Sequence, residues 1–201
     1  MSGSRPYKNI DNDRVPTWGE PRNSVAPFVP TPLNVVKKML ELAKAGPEDT
    51  LYDLGCGDGR ILFTAIEEFQ VKNAVGIDLN PTMIRKVNLQ IKEKSLEDRV
   101  RVYNDNFFNI NLKPATLITL YLTTSGNSKL RPKFEEELSL GSRVVSHDFP
   151  MNGWKSAKKQ IPEYYKTGSH KIYLYQIPEA YTNNLEKKST WKKIKDRFIG
   201  D

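Results

Sequence analysis

The sequence predicts a doubly wound α/β fold, in which a seven-stranded, mostly parallel sheet carries helices on both faces and ends in an antiparallel C-terminal hairpin. Three observations lead there. Short apolar runs alternate with longer amphipathic stretches, the pattern of strands joined by helical crossovers. A glycine-rich turn lies between the first of those runs and the stretch that follows it, where such a sheet receives a ligand. Two late segments rich in Tyr and Ile flank Thr167-Gly168, as the strands of a hairpin flank their turn.

Taken in order, residues 1–32 hold six prolines and only scattered apolar residues, among them Tyr7, Trp18, Val25, Phe28 and Val29. Proline removes a backbone donor and fixes φ, so this stretch is expected to be an extended arm that folds over the ligand as a lid. Val35, Val36, Met39, Leu40, Leu42 and Ala43 then recur at helical spacing and Gly46-Pro47 stops the pattern, which predicts a helix over 33–45. Strands are expected at Thr50-Leu54, Ala74-Ile77, Val100-Tyr103, Ala115-Tyr121 and Arg143-His147, with helices at Arg60-Phe69, Pro81-Leu96 and Ser128-Leu138. Parallel strands need right-handed crossovers, which cover both faces of the sheet. The hairpin is expected to pair Lys158-Lys166 with His170-Ile177. From residue 179 the chain reads as a basic amphipathic tail with Leu185, Trp191, Ile194 and Phe198 on one side, so one domain over 33–178 is expected between an arm and a tail.

At 201 residues the chain suffices for one substantial core and is short for two. Hydrophobic residues make up 38% and charged residues 27%, a balance that excludes an intrinsically disordered chain. No apolar run reaches the ~18 residues needed to cross a bilayer and no apolar stretch follows the first residues, so a cytoplasmic protein off the membrane is expected, as a monomer. The single cysteine, Cys56, excludes an internal disulfide and a cysteine metal cluster. A net charge of +7 suits an acidic partner such as nucleic acid, but the run of late lysines reads more simply as a solvated face, and direct nucleic-acid binding is the less favoured reading.

Leu51-Tyr52-Asp53-Leu54 is the first strand, Gly55 to Gly59 the turn, and Arg60-Ile61-Leu62-Phe63 the opening of a helix. Gly55, Gly57 and Gly59 let a ligand approach the backbone without Cβ clashes, beside a positive helix N-terminus. Asp78 ends the second strand, 21 positions beyond Gly57, where a carboxylate accepts ribose hydroxyls, and Leu79 follows it. Asp105 follows the third strand, between Asn104 and Asn106, placed to hold an adenine amino group. A dinucleotide enzyme shares this Rossmann-like arrangement, but its fingerprint is Gly-x-Gly-x-x-Gly and here the third glycine comes one residue early. Asp53 and Asp58 flank the loop; they repel a pyrophosphate and suit a ligand bearing an ammonium and a sulfonium. For Asp58 a plain helix-capping role is the alternative.

Asp-Leu-Gly-Cys-Gly-Asp-Gly at 53–59, Gly-Ile-Asp-Leu-Asn-Pro at 76–81 and Asn-Asp-Asn-Phe-Phe at 104–108 resemble, in order and separation, the first three motifs of class I methyltransferases. The flanks narrow the resemblance: Val25-Ala26-Pro27-Phe28-Val29-Pro30-Thr31-Pro32 before the first helix, Tyr121-Leu122-Thr123-Thr124-Ser125 after the fourth strand, and Ser146-His147-Asp148-Phe149 with Gly153-Trp154 after the fifth. Together they are similar to the archaeal broad-specificity protein lysine methyltransferase family, relatives of the mitochondrial lysine methyltransferases. That resemblance implies S-adenosyl-L-methionine as cofactor, held by Asp53, Gly55, Gly57, Asp58, Gly59, Asp78, Leu79, Asn104, Asp105 and Asn106. It also implies in-line methyl transfer to the lysine ε-amines of protein substrates with exposed lysines, small basic DNA-binding proteins among them.

The acceptor side is read from the segments that meet at the cleft: the arm, the end of the fourth strand and the loop after the fifth. Tyr121-Leu122-Thr123-Thr124 stands where nucleic-acid and glutamine amino methyltransferases carry Asn/Asp-Pro-Pro-Tyr/Phe, and Cys56 lies in the glycine loop rather than in a Pro-Cys nucleophile. His147 and His170 are not spaced with carboxylates as a catechol-type metal site requires; His147 is expected to be a hydrogen-bonded core residue at a strand end, and no metal is expected. A lysine of pKa ~10.4 is almost wholly protonated at pH 7, so the site must favour the neutral amine or let water take its proton. Trp18, Phe28, Tyr121 and Trp154 are expected to wall an aromatic channel, with Thr31 and Thr123 as hydrogen-bond partners of the acceptor; core packing is the alternative for Phe28 and Trp154. Tyr121, Thr123, Trp18 and Thr31 are thus the candidate catalytic residues. A nucleic-acid methyltransferase is the rival activity, and a non-catalytic cofactor-binding module the rival class.

Overall fold

The computed structural model describes residues 29–158 and 161–181. The strands are β1 (Thr50–Leu54), β2 (Asn73–Asp78), β3 (Val100–Asn104), β4 (Leu117–Leu120), β5 (Arg143–His147), β6 (Tyr165–Thr167) and β7 (His170–Gln176), and the helices α1 (Leu33–Leu42), α2 (Arg60–Glu67), α3 (Pro81–Glu93) and α4 (Thr124–Glu137). They form one sheet in the order β3-β2-β1-β4-β5-β7-β6. The first five strands pair in parallel and the last two antiparallel, as expected. The order reverses between β1 and β4, so a ligand belongs in the crevice beyond their C-terminal ends.

Alternation along the strands sorts side chains into two cores. Leu51, Leu117 and Val145 share one with Val35, Val36 and Met39 of α1, Leu62 and Ile66 of α2 and Val87 of α3. Tyr52, Leu54, Ile118, Leu120 and Val144 share the other with Leu130 and Phe134 of α4. Asp53, Thr119 and His147 each lie two residues beyond a member of the first core, so the pleat carries all three to the α1 face at the C-terminal edge of the sheet. That corner is where the candidate site assembles.

Two elements differ from expectation. α4 starts a turn early because Thr123 Oγ1 accepts the Gly126 N–H and caps it, while Gly126 and Pro132 weaken the helical signal in the sequence. β6 is only Tyr165–Thr167, because Pro162 has no N–H to offer a ladder and the Lys158 ammonium is drawn to the carbonyls of Pro162 and Tyr164. Thr167 pairs with His170, so the turn is Gly168-Ser169; Gly168 has φ 61°, which suits the first position of a type II′ hairpin. Packing continues past residue 178, since Ala180 is buried and Tyr181 bridges to Trp154. The lid, Trp18, Phe28 and most of the tail lie outside the described residues. Among the described residues no helix is long and apolar enough to cross a membrane.

Candidate active site

On the donor side the loop after β1 is drawn onto β2, because the N–H groups of Gly55 and Cys56 both donate to the Ile77 carbonyl, at 2.8 and 3.1 Å. Gly55, Gly57 and Gly59 take φ of 86°, 51° and 79°, a left-handed path that a Cβ disfavours. Asp78 secures the loop: Oδ2 accepts the Gly57 N–H at 2.9 Å and Oδ1 the Asn80 N–H at 2.8 Å. Each oxygen retains a lone pair for a ribose hydroxyl. Leu79 is half-buried beside it. Asn104 Nδ2 donates to the Asp78 carbonyl at 3.0 Å, and Asn106 Oδ1 accepts the Phe108 N–H at 3.1 Å to open a short 3-10 turn. Asp105 Oδ1 accepts from the Asn106 N–H and Asn109 Nδ2, which leaves Oδ2 without a partner among the described residues and available to an adenine amino group. Sequence reasoning missed Gly76, where a Cβ would sit 2.7 Å from Leu62 Cδ1 and 2.8 Å from Cys56 Sγ and push the loop off the sheet.

Asp53 is 3% exposed, and its Oδ1 accepts the hydroxyl proton of Thr119, its register partner on β4, at 2.8 Å. Burial pushes this carboxyl up to about 7; the Thr119 bond opposes the change, and the charges of Asp78 and Asp58 add to it. Asp58 is paired within the protein. Arg60 Nε binds both of its oxygens, at 2.9 and 3.1 Å, and the Arg60 N–H donates to Oδ1 at 3.2 Å. These bonds hold the Asp58 carboxyl below the usual range, and its charge is balanced by the Arg60 guanidinium. Arg60 Nη1 also donates to the Thr31 carbonyl at 2.9 Å, tying the end of the arm to the loop. Adjacency to Asp58 was the one sequence signal for this arginine. Asp53 and Asp78, by contrast, form no ion pair among the described residues. Two carboxylates without a counter-cation, one of them buried, beside a loop open to backbone approach, fit a cationic sulfonium ligand and repel a pyrophosphate.

On the acceptor side Thr31 is buried and its Oγ1 lies 3.1 Å from His147 Nδ1. Tyr121 packs on the His147 ring, with centroids 3.9 Å apart, and its hydroxyl reaches Asp148 Oδ2 at 3.4 Å. Burial and then the Asp148 charge push the Tyr121 phenol up, so it stays protonated. The antiparallel pairing of β7 with β5 brings in His170, whose Nδ1 lies 2.9 Å from His147 Nε2 and 3.1 Å from Asp148 Oδ2. The expectation that the histidines stand apart from carboxylates is therefore overturned: 22 residues separate His170 from Asp148, and the hairpin closes that gap. His147 is fully buried, as expected for a core residue at a strand end, and burial holds it down to about 4, so it is neutral.

Not every candidate joins this cluster. Thr123 Oγ1 is engaged in capping α4. Trp154 packs against Phe134, Tyr175 and Tyr181, and its Nε1–H donates to Glu135 at 3.0 Å, which makes it a core residue rather than a channel wall.

A glycine loop at the switch point, Asp78 ending β2 and buried Asp53, both without a counter-cation among the described residues, define an S-adenosylmethionine-dependent methyltransferase. Residues 53–158 match the ANTKMT methyltransferase domain. The chain is 44% identical over 153 residues to a protein-lysine N-methyltransferase of Saccharolobus islandicus (strain REY15A), covering 76% of this chain and 94% of that protein. It is 29% identical to the adenine nucleotide translocase lysine N-methyltransferase of Mus musculus, covering 64% of this chain and 56% of that longer protein. Among solved structures, an RNA methyltransferase from Salinibacter ruber in complex with S-adenosyl-L-homocysteine superposes with a TM-score of 0.71 at 39% identity, covering 78% of this chain and 99% of that one. The chain belongs to the ANTKMT methyltransferase domain family.

Proposed function

We propose that the protein transfers methyl groups from S-adenosylmethionine to lysine ε-amines of protein substrates, accepting many sequence contexts. The observation that carries this reading is the acceptor corner, where the Asp148 carboxylate and the Tyr121 ring sit beside buried, neutral His147. A carboxylate next to an aromatic face attracts an ammonium group, whereas a planar base nitrogen calls for the Asn/Asp-Pro-Pro-Tyr/Phe grip that Tyr121-Leu122-Thr123-Thr124 replaces. The names of the archaeal and mouse relatives support the same acceptor. Broad specificity and small basic DNA-binding proteins as substrates rest on the family resemblance.

The bound cofactor supplies a methyl group already activated on a sulfonium. What falls to this chain is positioning and the proton. Asp78 and Asp105 orient the nucleoside, Asp53 offers a buried negative charge to the cationic end, and Thr31 and Tyr121 frame the path of the incoming amine in line with the methyl group. A second reading, methylation of RNA, is favoured by the name of the Salinibacter ruber neighbour and by the net charge of +7. Incubation of the protein with methyl-labelled cofactor and cell extract, split between nuclease and protease treatment, separates the two. Loss of label with protease alone is expected; loss with nuclease alone selects RNA.

A further inference from the structure

We infer that His170 and Asp148 form a base dyad, in which His170 Nε2 takes the proton from the substrate ammonium and Asp148 positions the imidazole. The inference rests on the lysine reading above. Asp148 Oδ2 is a hub with three polar neighbours: Tyr121 Oη at 3.4 Å, His147 Nε2 at 3.2 Å and His170 Nδ1 at 3.1 Å. A carboxylate oxygen can only accept, so all three are satisfied together when each presents a hydrogen. That assignment leaves Nδ1 of neutral His147 as a lone pair, which accepts the Thr31 hydroxyl proton at 3.1 Å, and it makes the 2.9 Å approach of His147 Nε2 to His170 Nδ1 a contact between two N–H groups drawn together by the carboxylate they share. The Lys171 N–H fixes the other oxygen of Asp148 at 2.7 Å. Burial raises the Asp148 carboxyl, but the hydrogen bonds from the Lys171 N–H and His170 more than offset it, and the group stays ionised.

With Nδ1 of His170 committed as a donor to Asp148, its Nε2 carries the lone pair. That nitrogen has no hydrogen-bond partner among the described residues, and the His170 side chain is 30% exposed. His147, next to it, has its nitrogens engaged by Thr31 and Asp148 and no exposure, so of the two histidines His170 is the one that presents a basic nitrogen to an incoming group. The step is a single proton transfer: one N–H bond of the lysine ammonium breaks, its electron pair stays on the amine as the attacking lone pair, and an N–H bond forms at His170 Nε2. The proton then leaves to water at the exposed edge. The other titratable and charged groups around the dyad are Tyr121 at the end of β4, Tyr173 and Lys171 of β7, and Lys166 of β6 opposite Lys171.

The test is the pH profile of kcat for wild type, H170A and D148N, with short lysine-containing peptides and a denatured lysine-rich protein as acceptors and cofactor affinity measured in parallel. A positioned base contributes at least about 100-fold. At pH 7 H170A is therefore expected to lose about 100-fold in kcat with cofactor affinity unchanged, and the deficit to shrink toward pH 10, where free amine becomes abundant without help. Added imidazole is expected to restore part of the H170A rate and none of the D148N loss. H170Q, which conserves volume, is expected to match H170A. An H170A rate equal to wild type across the pH range overturns the dyad, as does a pH-independent loss that imidazole leaves untouched. Zinc or manganese binding to the apo protein that is required for turnover also overturns it, because His147, Asp148 and His170 present three donor atoms within 4.8 Å of one another. No turnover by wild type on any lysine acceptor overturns the lysine reading, and the dyad with it.

Discussion

Replacing Asp53 by asparagine removes a buried carboxyl that titrates near neutrality while conserving its shape and an acceptor for the Thr119 hydroxyl. Burial holds Asp53 at about 7, against an ordinary aspartate value of about 3.9. Between about pH 4 and 7 the folded protein therefore holds a proton that the unfolded chain has released. Stability from this group is full below about pH 4 and is lost as pH rises to about 7, by about 4 kcal/mol in all. His147 acts in the opposite sense. Burial holds it at about 4, so the unfolded imidazole, with an ordinary value of about 6.5, binds the extra proton, and stability rises by about 3 kcal/mol across that window. The two slopes largely cancel in wild type, whereas D53N keeps only the rise from His147. At 2 to 4 °C per kcal/mol for a chain of this size, the Tm difference between the two proteins should change by roughly 10 °C from pH 4.5 to 7.5. A cationic ligand favours ionised Asp53, so calorimetric affinity of wild type for the cofactor should tighten up to about tenfold per pH unit below 7, with D53N flat. Parallel Tm profiles, or a wild-type affinity that ignores pH, would refute the assignment of a buried, unpaired, cofactor-facing Asp53.

Other expectations follow from the same geometry. D78A removes both the ribose acceptor and the anchor of the Gly57 and Asn80 N–H groups; it should cost about 1–3 kcal/mol in unfolding free energy and abolish cofactor binding in titration calorimetry, with the sheet intact by circular dichroism. W154A should lose about 3–5 kcal/mol of stability in denaturant unfolding yet leave cofactor affinity unchanged, because this ring packs the core under α4. Deleting residues 1–25 should weaken cofactor affinity at least about tenfold if the arm is a lid, and unchanged affinity removes that idea.

The parts of the molecule legible in the sequence are those that local pattern determines. Strands β1, β2, β4 and β5 announce themselves as apolar runs because both faces of a parallel sheet are buried there, and Asp53, Asp78 and Asp105 stand out because they sit at or just beyond strand ends, next to the motif that marks them. What stayed hidden depends on register and long-range closure. Thr119 meets Asp53 only through the pairing of β1 with β4, and His170 reaches Asp148 only because β7 turns back along β5. Nothing in a run of Tyr and Ile says which end of a hairpin lies over the site. The pairing of Asp58 was hidden in a different way: its position beside the loop is legible, but that the neighbouring Arg60 folds back onto it is not. Trp154 sits close in sequence to His147 and Asp148, yet the loop after β5 carries it to the opposite core.

Lysine methylation is tested most directly by tandem mass spectrometry of an extract treated with the purified protein and isotopically labelled cofactor, with peptides and nucleosides analysed from the same reaction. The expected result is labelled methyl on lysine side-chain nitrogens in several proteins, lost in D78A. Label confined to nucleosides, with unmodified lysines, would contradict it.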